Sequence, residues 1–174
     1  EVYFNDFRIY DKILSDAEIT ELYEPYRQSA GQSQYKVTFN QNTECDILVV
    51  GGGGGGGGSL GGGGGGGGVL YATGIELNGS YNIKVGKGGD RVQSDSGTGI
   101  RLGNTGNNSV FQETIVYGGG GGGNYLNHSG LPGGSGGGAG WGNNNGGIKT
   151  LPTYGSTITA INSTYYGNDG VSIT

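Results

Sequence analysis

Methionine is absent from this 174-residue chain, and there are only three prolines, one tryptophan, one histidine and one cysteine. A single cysteine excludes an intrachain disulfide framework. One histidine and one cysteine, His128 and Cys45, lie 83 positions apart and make a poor zinc set. Scarce proline excludes collagen, which also needs glycine at every third position. Charge is sparse, at 13% of residues. Residues 1–28 hold seven acids and three bases, so most of the net charge of −5 sits there and the remainder is nearly neutral. No basic patch tracks a phosphate backbone, which argues against nucleic-acid binding. No apolar run approaches the ~20 residues of a membrane span, so no membrane insertion is expected. The chain starts Glu1-Val2-Tyr3-Phe4, without a signal-peptide pattern, and reads as a processed or excised piece of something longer.

Glycine fills the space these residues leave: 45 residues, about a quarter of the chain, against the usual ~7%. Tyrosine is also abundant, with 12 copies. Strand-like runs rich in Val, Ile, Tyr and Thr occur at 35–39, 45–50, 69–77, 80–85, 109–117, 157–161 and 170–174. Asn78-Gly79 between two of them predicts a hairpin turn. Short strands separated by turn chemistry predict an antiparallel β-sandwich or jelly roll. The organisation expected is a strand–helix segment over 1–25, a polar linker over 26–34 and a glycine-rich domain over 35–174.

The glycine runs are out-and-back excursions between strands, over 51–68 and 118–147. In the first, eight glycines (51–58), Ser59-Leu60 and eight more glycines (61–68) separate Val50 from Val69. In the second, six glycines (118–123) lead through a turn to the near-glycine run 133–140 and Trp141. Ordering eight glycines costs on the order of 8–16 kcal/mol in backbone entropy. No side chain offsets that cost, so backbone hydrogen bonds between neighbouring segments must. Extended left-handed threefold helices make no internal bonds and turn their N–H and C=O groups toward neighbours. The runs therefore predict an inserted polyglycine-II bundle of at least four segments, about 25 Å long.

Motifs for catalysis or cofactors fail on context. Asp46-Ile-Leu-Val-Val before glycines, with Glu76 further on, imitates a dinucleotide fingerprint, but no helix can follow to hold a pyrophosphate. Val85-Gly86-Lys87-Gly88 imitates a phosphate loop, but glycine stands where Ser or Thr must bind magnesium. His128 lies in a turn with no orienting carboxylate nearby in sequence. Asp90 and Asp95, in the long polar loop 86–108, lack an EF-hand rhythm. No cofactor, metal or catalytic residue is expected.

Other residues suit binding or assembly. Trp141, with Tyr125 and Tyr154 in the same Gly/Asn-rich half, is a candidate either for stacking on glycans or for capping the bundle. Asn78, Asn107, Asn127 and Asn162 head glycosylation sequons. Cys45 is a candidate buried thiol or intermolecular bridge. Phe4, Phe7 and Ile9 are apolar positions of a strand-like run over 2–10, followed by a capping box at Ser15-Asp16-Ala17-Glu18 that predicts a short helix ending at Pro25.

Two resemblances carry these residues further. Asn5-Asp6-Phe7-Arg8-Ile9-Tyr10-Asp11 and Leu14-Ser15-Asp16-Ala17-Glu18-Ile19 resemble the C-terminal end of a laminin-G-like domain. That likeness covers about 25 residues and carries no sugar-binding function with it. Cys45-Asp46-Ile47-Leu48-Val49-Val50 before a glycine run is one part of the second resemblance. Gly106-Asn107-Asn108-Ser109-Val110-Phe111, Tyr117 before a second run, and the closing Gly167-Asn168-Asp169-Gly170-Val171 are the others. Together they resemble a glycine-rich extracellular domain of marine viral and microbial surface proteins. A related module resembles the glycine-rich region of anaplastic-lymphoma-kinase-type receptors. The resemblance implies surface display, adhesion or assembly: a non-enzymatic structural subunit of a fibre or appendage outside the cell or on a virion. An adhesin presenting glycan-binding loops on a rigid stalk is the alternative. A neutral body, a free cysteine and exposed backbone suit self-association into an oligomer or filament.

Overall fold

The computed structural model describes residues 15, 33–92, 102–125, 129–142 and 145–173. The chain divides into two units, Glu1–Gly31 and Gln32–Thr174. Apart from Ser15, all described residues lie in the second. The expected strand at 2–10 and the helix after Ser15 lie outside the described residues, as do Phe4, Phe7 and Ile9.

The second unit is mainly β, with no helix among the described residues. Its strands are β1 (Ser33–Val50), β2 (Val69–Val85), β3 (Ser109–Phe111), β4 (Thr114–Val116) and β5 (Ser163–Tyr166). They form one antiparallel sheet in the order β1-β2-β3-β4, with β5 also paired to β2. All five strands belong to this one hydrogen-bonded sheet, so the mainly β, antiparallel part of the expectation holds. The runs at 35–39 and 45–50 are one continuous strand, as are 69–77 and 80–85, while 109–117 is a hairpin. The strand expected at 157–161 falls instead at Ser163–Tyr166, and among the described residues 170–173 only an isolated bridge residue is seen.

Asn78-Gly79 does not turn the chain. Gly79, with φ of +89°, pairs with Phe39 at the edge of a bulge in which residues 40–42 of β1 have no direct partner. The positive φ that suits this dipeptide to a hairpin serves a bulge equally well. A second irregularity lies between Cys45/Ile75 and Ile47/Ala72 and contains Gly74, with φ of +63°.

One face of the β1–β2 ribbon buries Ile47, Val49, Leu70, Ala72, Ile75 and Leu77. Phe111, Val116 and Ile158 complete the core, and Phe39, Cys45, Tyr81, Ile83 and Tyr165 pack on it half-buried. Phe39 meets Tyr81 edge-on, and Tyr81 stacks on Phe111. These are the apolar positions of the alternating runs, as a one-sided sheet requires.

Beyond the strand ends the chain becomes a bundle of extended segments with almost no side chains. The runs 51–58 and 61–68 lie antiparallel: Gly51, Gly54 and Gly57 donate to the carbonyls of Gly68, Gly65 and Gly62 at 2.9, 2.8 and 3.0 Å. The step is three residues, not the two of a β-ladder. Gly62, Gly65 and Gly68 in turn donate to Gly123, Gly120 and Tyr117 at 2.9, 2.8 and 3.0 Å. Segments outside the pure glycine runs join the same array. Gly106 and Gly103 donate to Gly119 and Gly122, both at 2.9 Å. Gly89 and Val92 donate to Gly53 and Gly56. Gly136 and Ala139 donate to Asn168 and Val171 at 2.8 and 3.0 Å.

Residues 118–123 form the axis and are buried throughout. Gly119 and Gly122 donate to Gly52 and Gly55, while Gly120 and Gly123 donate to Ser135 and Gly138. Their carbonyls accept from residues 103 and 106, from 62 and 65, and from 131 and 134. A β-strand has two hydrogen-bonding edges; this segment has neighbours on five sides. Such close approach leaves no room for a Cβ. One built at Gly121 would collide with the carbonyl of Gly103, and one at Gly54 with that of Gly120.

Candidate functional site

Three surfaces offer chemistry: the free edge of β1 with its groove, the polar pins joining sheet to bundle, and the bundle tip.

β1 pairs only with β2 among the described residues, which leaves its other edge open. The inward face of β1 lines a groove of about 480 Å³ with Phe39, Cys45, Ile47 and Val49, shared with Ile83 of β2 and Phe111 of β3. Cys45 is a free, half-buried thiol on its wall. At the inner end of the groove, the Ser109 hydroxyl donates to the Val50 carbonyl at 2.6 Å and accepts from the Gly86 amide at 3.0 Å.

Asp46 acts as a structural acceptor beside the second bulge. Its two oxygens accept the Gly74 amide at 3.1 Å and the Tyr71 hydroxyl at 3.0 Å. The hydrogen bond to the Asp46 carboxylate, and secondly its charge, raise the Tyr71 phenol above the ordinary 10.0. Neither Asp46 nor Glu76 faces a nucleotide-binding turn, because 51–58 continues as an extended segment without a helix. Lys87, from the phosphate-loop imitation, pairs with Asp90 at 3.3 Å on the surface, a contact worth about 0–1 kcal/mol. Asp95 and His128 lie outside the described residues. No group of three or more His, Cys, Asp or Glu side chains gathers as a metal site among the described residues.

Tyr165 ties the sheet to the bundle. From β5 its hydroxyl reaches the carbonyls of Gly134 and Thr150, each at 2.7 Å. Burial, and secondly the charge of Tyr154, raise its phenol above the ordinary 10.0. Sequence reasoning missed Tyr165; its signal was an aromatic followed directly by Tyr166 and Gly167, where the sheet hands over to the bundle.

At the far end, Ser59 and Leu60 turn the first excursion with φ of +44° and +51°. Both are conformations that side chains disfavour. The Ser59 carbonyl accepts the Tyr125 amide at 3.3 Å, and the Leu60 carbonyl accepts the Trp141 amide at 3.0 Å. The tip thus gathers Leu60, Tyr125 and Trp141, with Trp141 64% and Leu60 70% exposed. Trp141 closes the bundle with its backbone, while its ring stays largely in solvent rather than capping the end by burial. Tyr154 is not at this tip, since its neighbour Thr153 pairs with Ile115 at the sheet end.

A family model described as a glycine-rich domain matches residues 28–172. The chain belongs to this glycine-rich domain family. No curated protein matches it. The family match spans both the sheet and the bundle segments.

The sequons of the glycine-rich domain are placed unequally. Asn78 is exposed at the bulge and donates its side-chain amide to Asn42 at 2.7 Å. Asn107 is exposed and bonded into the bundle through its backbone. The side-chain oxygen of Asn162 accepts the Thr159 amide at 2.8 Å. Asn127 lies outside the described residues.

Proposed function

We propose that this glycine-rich domain is a non-enzymatic structural subunit of a fibre or appendage, acting outside the cell or on a virion surface. In this reading the bundle segments are polyglycine-II helices and the sheet is the platform from which they project. The observation that supports it is the axial segment 118–123, bonded on five sides at three-residue steps. Threefold extended helices direct their backbone groups outward in this way, and only glycine lets them pack on all sides. A rod of this kind has few side chains with which to make or break bonds, but it is stiff and its outer backbone groups remain available to neighbours. Electron microscopy of the native material tests the proposal. Regular filaments, with φ near −75° and ψ near +145° along 118–123, are expected. Isolated monomers at all concentrations would contradict it.

One observation favours a second reading, an adhesin whose bundle is a stalk. Leu60, Tyr125 and Trp141 stand exposed around a turn held in an unfavourable conformation, and such strain is often kept where function requires it. Glycans, which stack on exposed aromatic faces, are the partner this reading implies. Trp141→Ala should then abolish binding on a glycan array while the unfolding temperature is unchanged. Unaltered binding would remove this reading.

A further inference from the structure

We infer that two copies of the chain pair through the free edge of β1, antiparallel about a two-fold axis at Asn40, with Lys36 of each copy opposite Glu44 of the other. The inference rests on the assembly reading above and names one of its contacts.

β1 is an 18-residue strand with one edge unpaired among the described residues. Unpaired edges of this length recruit another strand unless something blocks them. Its exposed side chains include Gln34, Lys36 and Thr38 on one arm and Glu44 and Asp46 on the other. Val37, Phe39, Thr43 and Cys45 point to the half-buried side. An axis at Asn40 places exposed positions opposite exposed ones: Lys36 with Glu44, and Gln34 with Asp46. It also places half-buried Val37 opposite Thr43, and exposed Tyr35 opposite half-buried Cys45.

Charge decides the register. Within its own sheet Glu44 lies directly opposite Glu76, an arrangement of like charges that destabilises a strand pair. Both residues are exposed, and no cation pairs with either among the described residues. Lys36, opposite Asn82, likewise has no ionic partner among them. The two-fold pairing supplies the missing partner to both Lys36 and Glu44, twice per dimer. It also brings Tyr35 of one copy, 38% exposed, to the groove wall at Cys45 and Ile47 of the other. The bulge at 40–42, where β1 leaves its ladder with β2, falls on the axis. Backbone bonding between the copies therefore belongs to the two arms, not the centre.

Sedimentation velocity on the full chain tests this with K36E and E44K. Each variant alone sets like charges opposite each other at both arms, and its dimer dissociation constant should rise at least about tenfold. In an equimolar mixture, a K36E copy paired with an E44K copy faces opposite charges at both arms, so dimer returns to the wild-type level. Both sites are exposed, so circular dichroism should show an unchanged fold. Wild-type association that neither variant weakens would overturn this contact and leave the assembly reading standing. A wild type that is monomeric at every concentration would overturn both.

Discussion

At the scale of single residues, the bundle separates glycines whose hydrogen atom is required from glycines that merely happen to be small. A Cβ at Gly121 would strike the carbonyl of Gly103, and one at Gly57 the carbonyl of Gly123. At Gly63 and Gly66 a Cβ would meet nothing within 4 Å. Gly121→Ala should therefore destabilise the fold by at least about 1–3 kcal/mol, the range for inserting a methyl group into a packed interior. Gly66→Ala should be neutral or stabilising by about 0.4–1 kcal/mol, through the unfolded chain. Thermal unfolding of the two variants checks this; equal losses would show that the interior is not packed. Tyr165 makes a different demand. Its raised phenol pKa in the folded state means that the unfolded chain loses this proton first as pH rises. The contribution is whole below the ordinary 10.0 and is lost as pH climbs through the folded value. Stability should fall above about pH 10, and Tyr165→Phe should lose about 1 kcal/mol at neutral pH while flattening that dependence. A Tyr165→Phe profile identical to wild type in denaturant titrations would contradict the pin.

At the scale of elements, the turn at Ser59-Leu60 holds two successive non-glycine residues in the left-handed region. Two successive residues with positive φ describe the mirror-type turn that Asn-Gly satisfies best. Replacing both, Ser59→Asn with Leu60→Gly, should raise stability by about 1–2 kcal/mol, read from the midpoint of denaturant unfolding. A loss instead would mean that Leu60 contributes packing its 70% exposure does not suggest. The pure glycine runs and the strands feeding them were legible in the sequence, because alternation and run length speak directly about local backbone. The rest of the bundle was not. Residues 86–108 read as a polar loop, yet Gly103 and Gly106, three apart, sit against Gly55 and Gly52 of the first run, while Gly86 and Gly89, also three apart, sit against Asn107 and Asn104. Gly167 and Gly170 repeat the spacing beside Gly134 and Gly137. One glycine in three suffices for a segment that presents only one side to the interior, a weaker signal than a continuous run. Gly79 departs from expectation for a related reason: Asn-Gly specifies a positive φ but not whether the chain turns or bulges there. The tip could be expected only in part. Trp141 and Tyr125 lie near each other in sequence, whereas the meeting with Leu60, and the separation from Tyr154, depend on where the excursions end.

At the scale of the whole molecule, a short apolar core anchors an assembly held by its backbone. Leu70, Ala72, Val116 and Ile158 are fully buried at the sheet, while the bundle beyond has almost no side chains to bury. Its order must come from hydrogen bonds that are individually worth about 0.5–1.5 kcal/mol net and together oppose the entropy of many glycines. That balance is the central claim of the account, and native-state amide hydrogen exchange by NMR tests it most directly. The amides of Gly119, Gly120, Gly122 and Gly123, which donate to Gly52, Ser135, Gly55 and Gly138, should be protected to the same degree as those of Leu70 and Ala72 in β2. Exchange of these four glycines at the rate of an unstructured chain, with β2 still protected, would contradict an ordered bundle and leave the excursions as solvated loops on a small sheet.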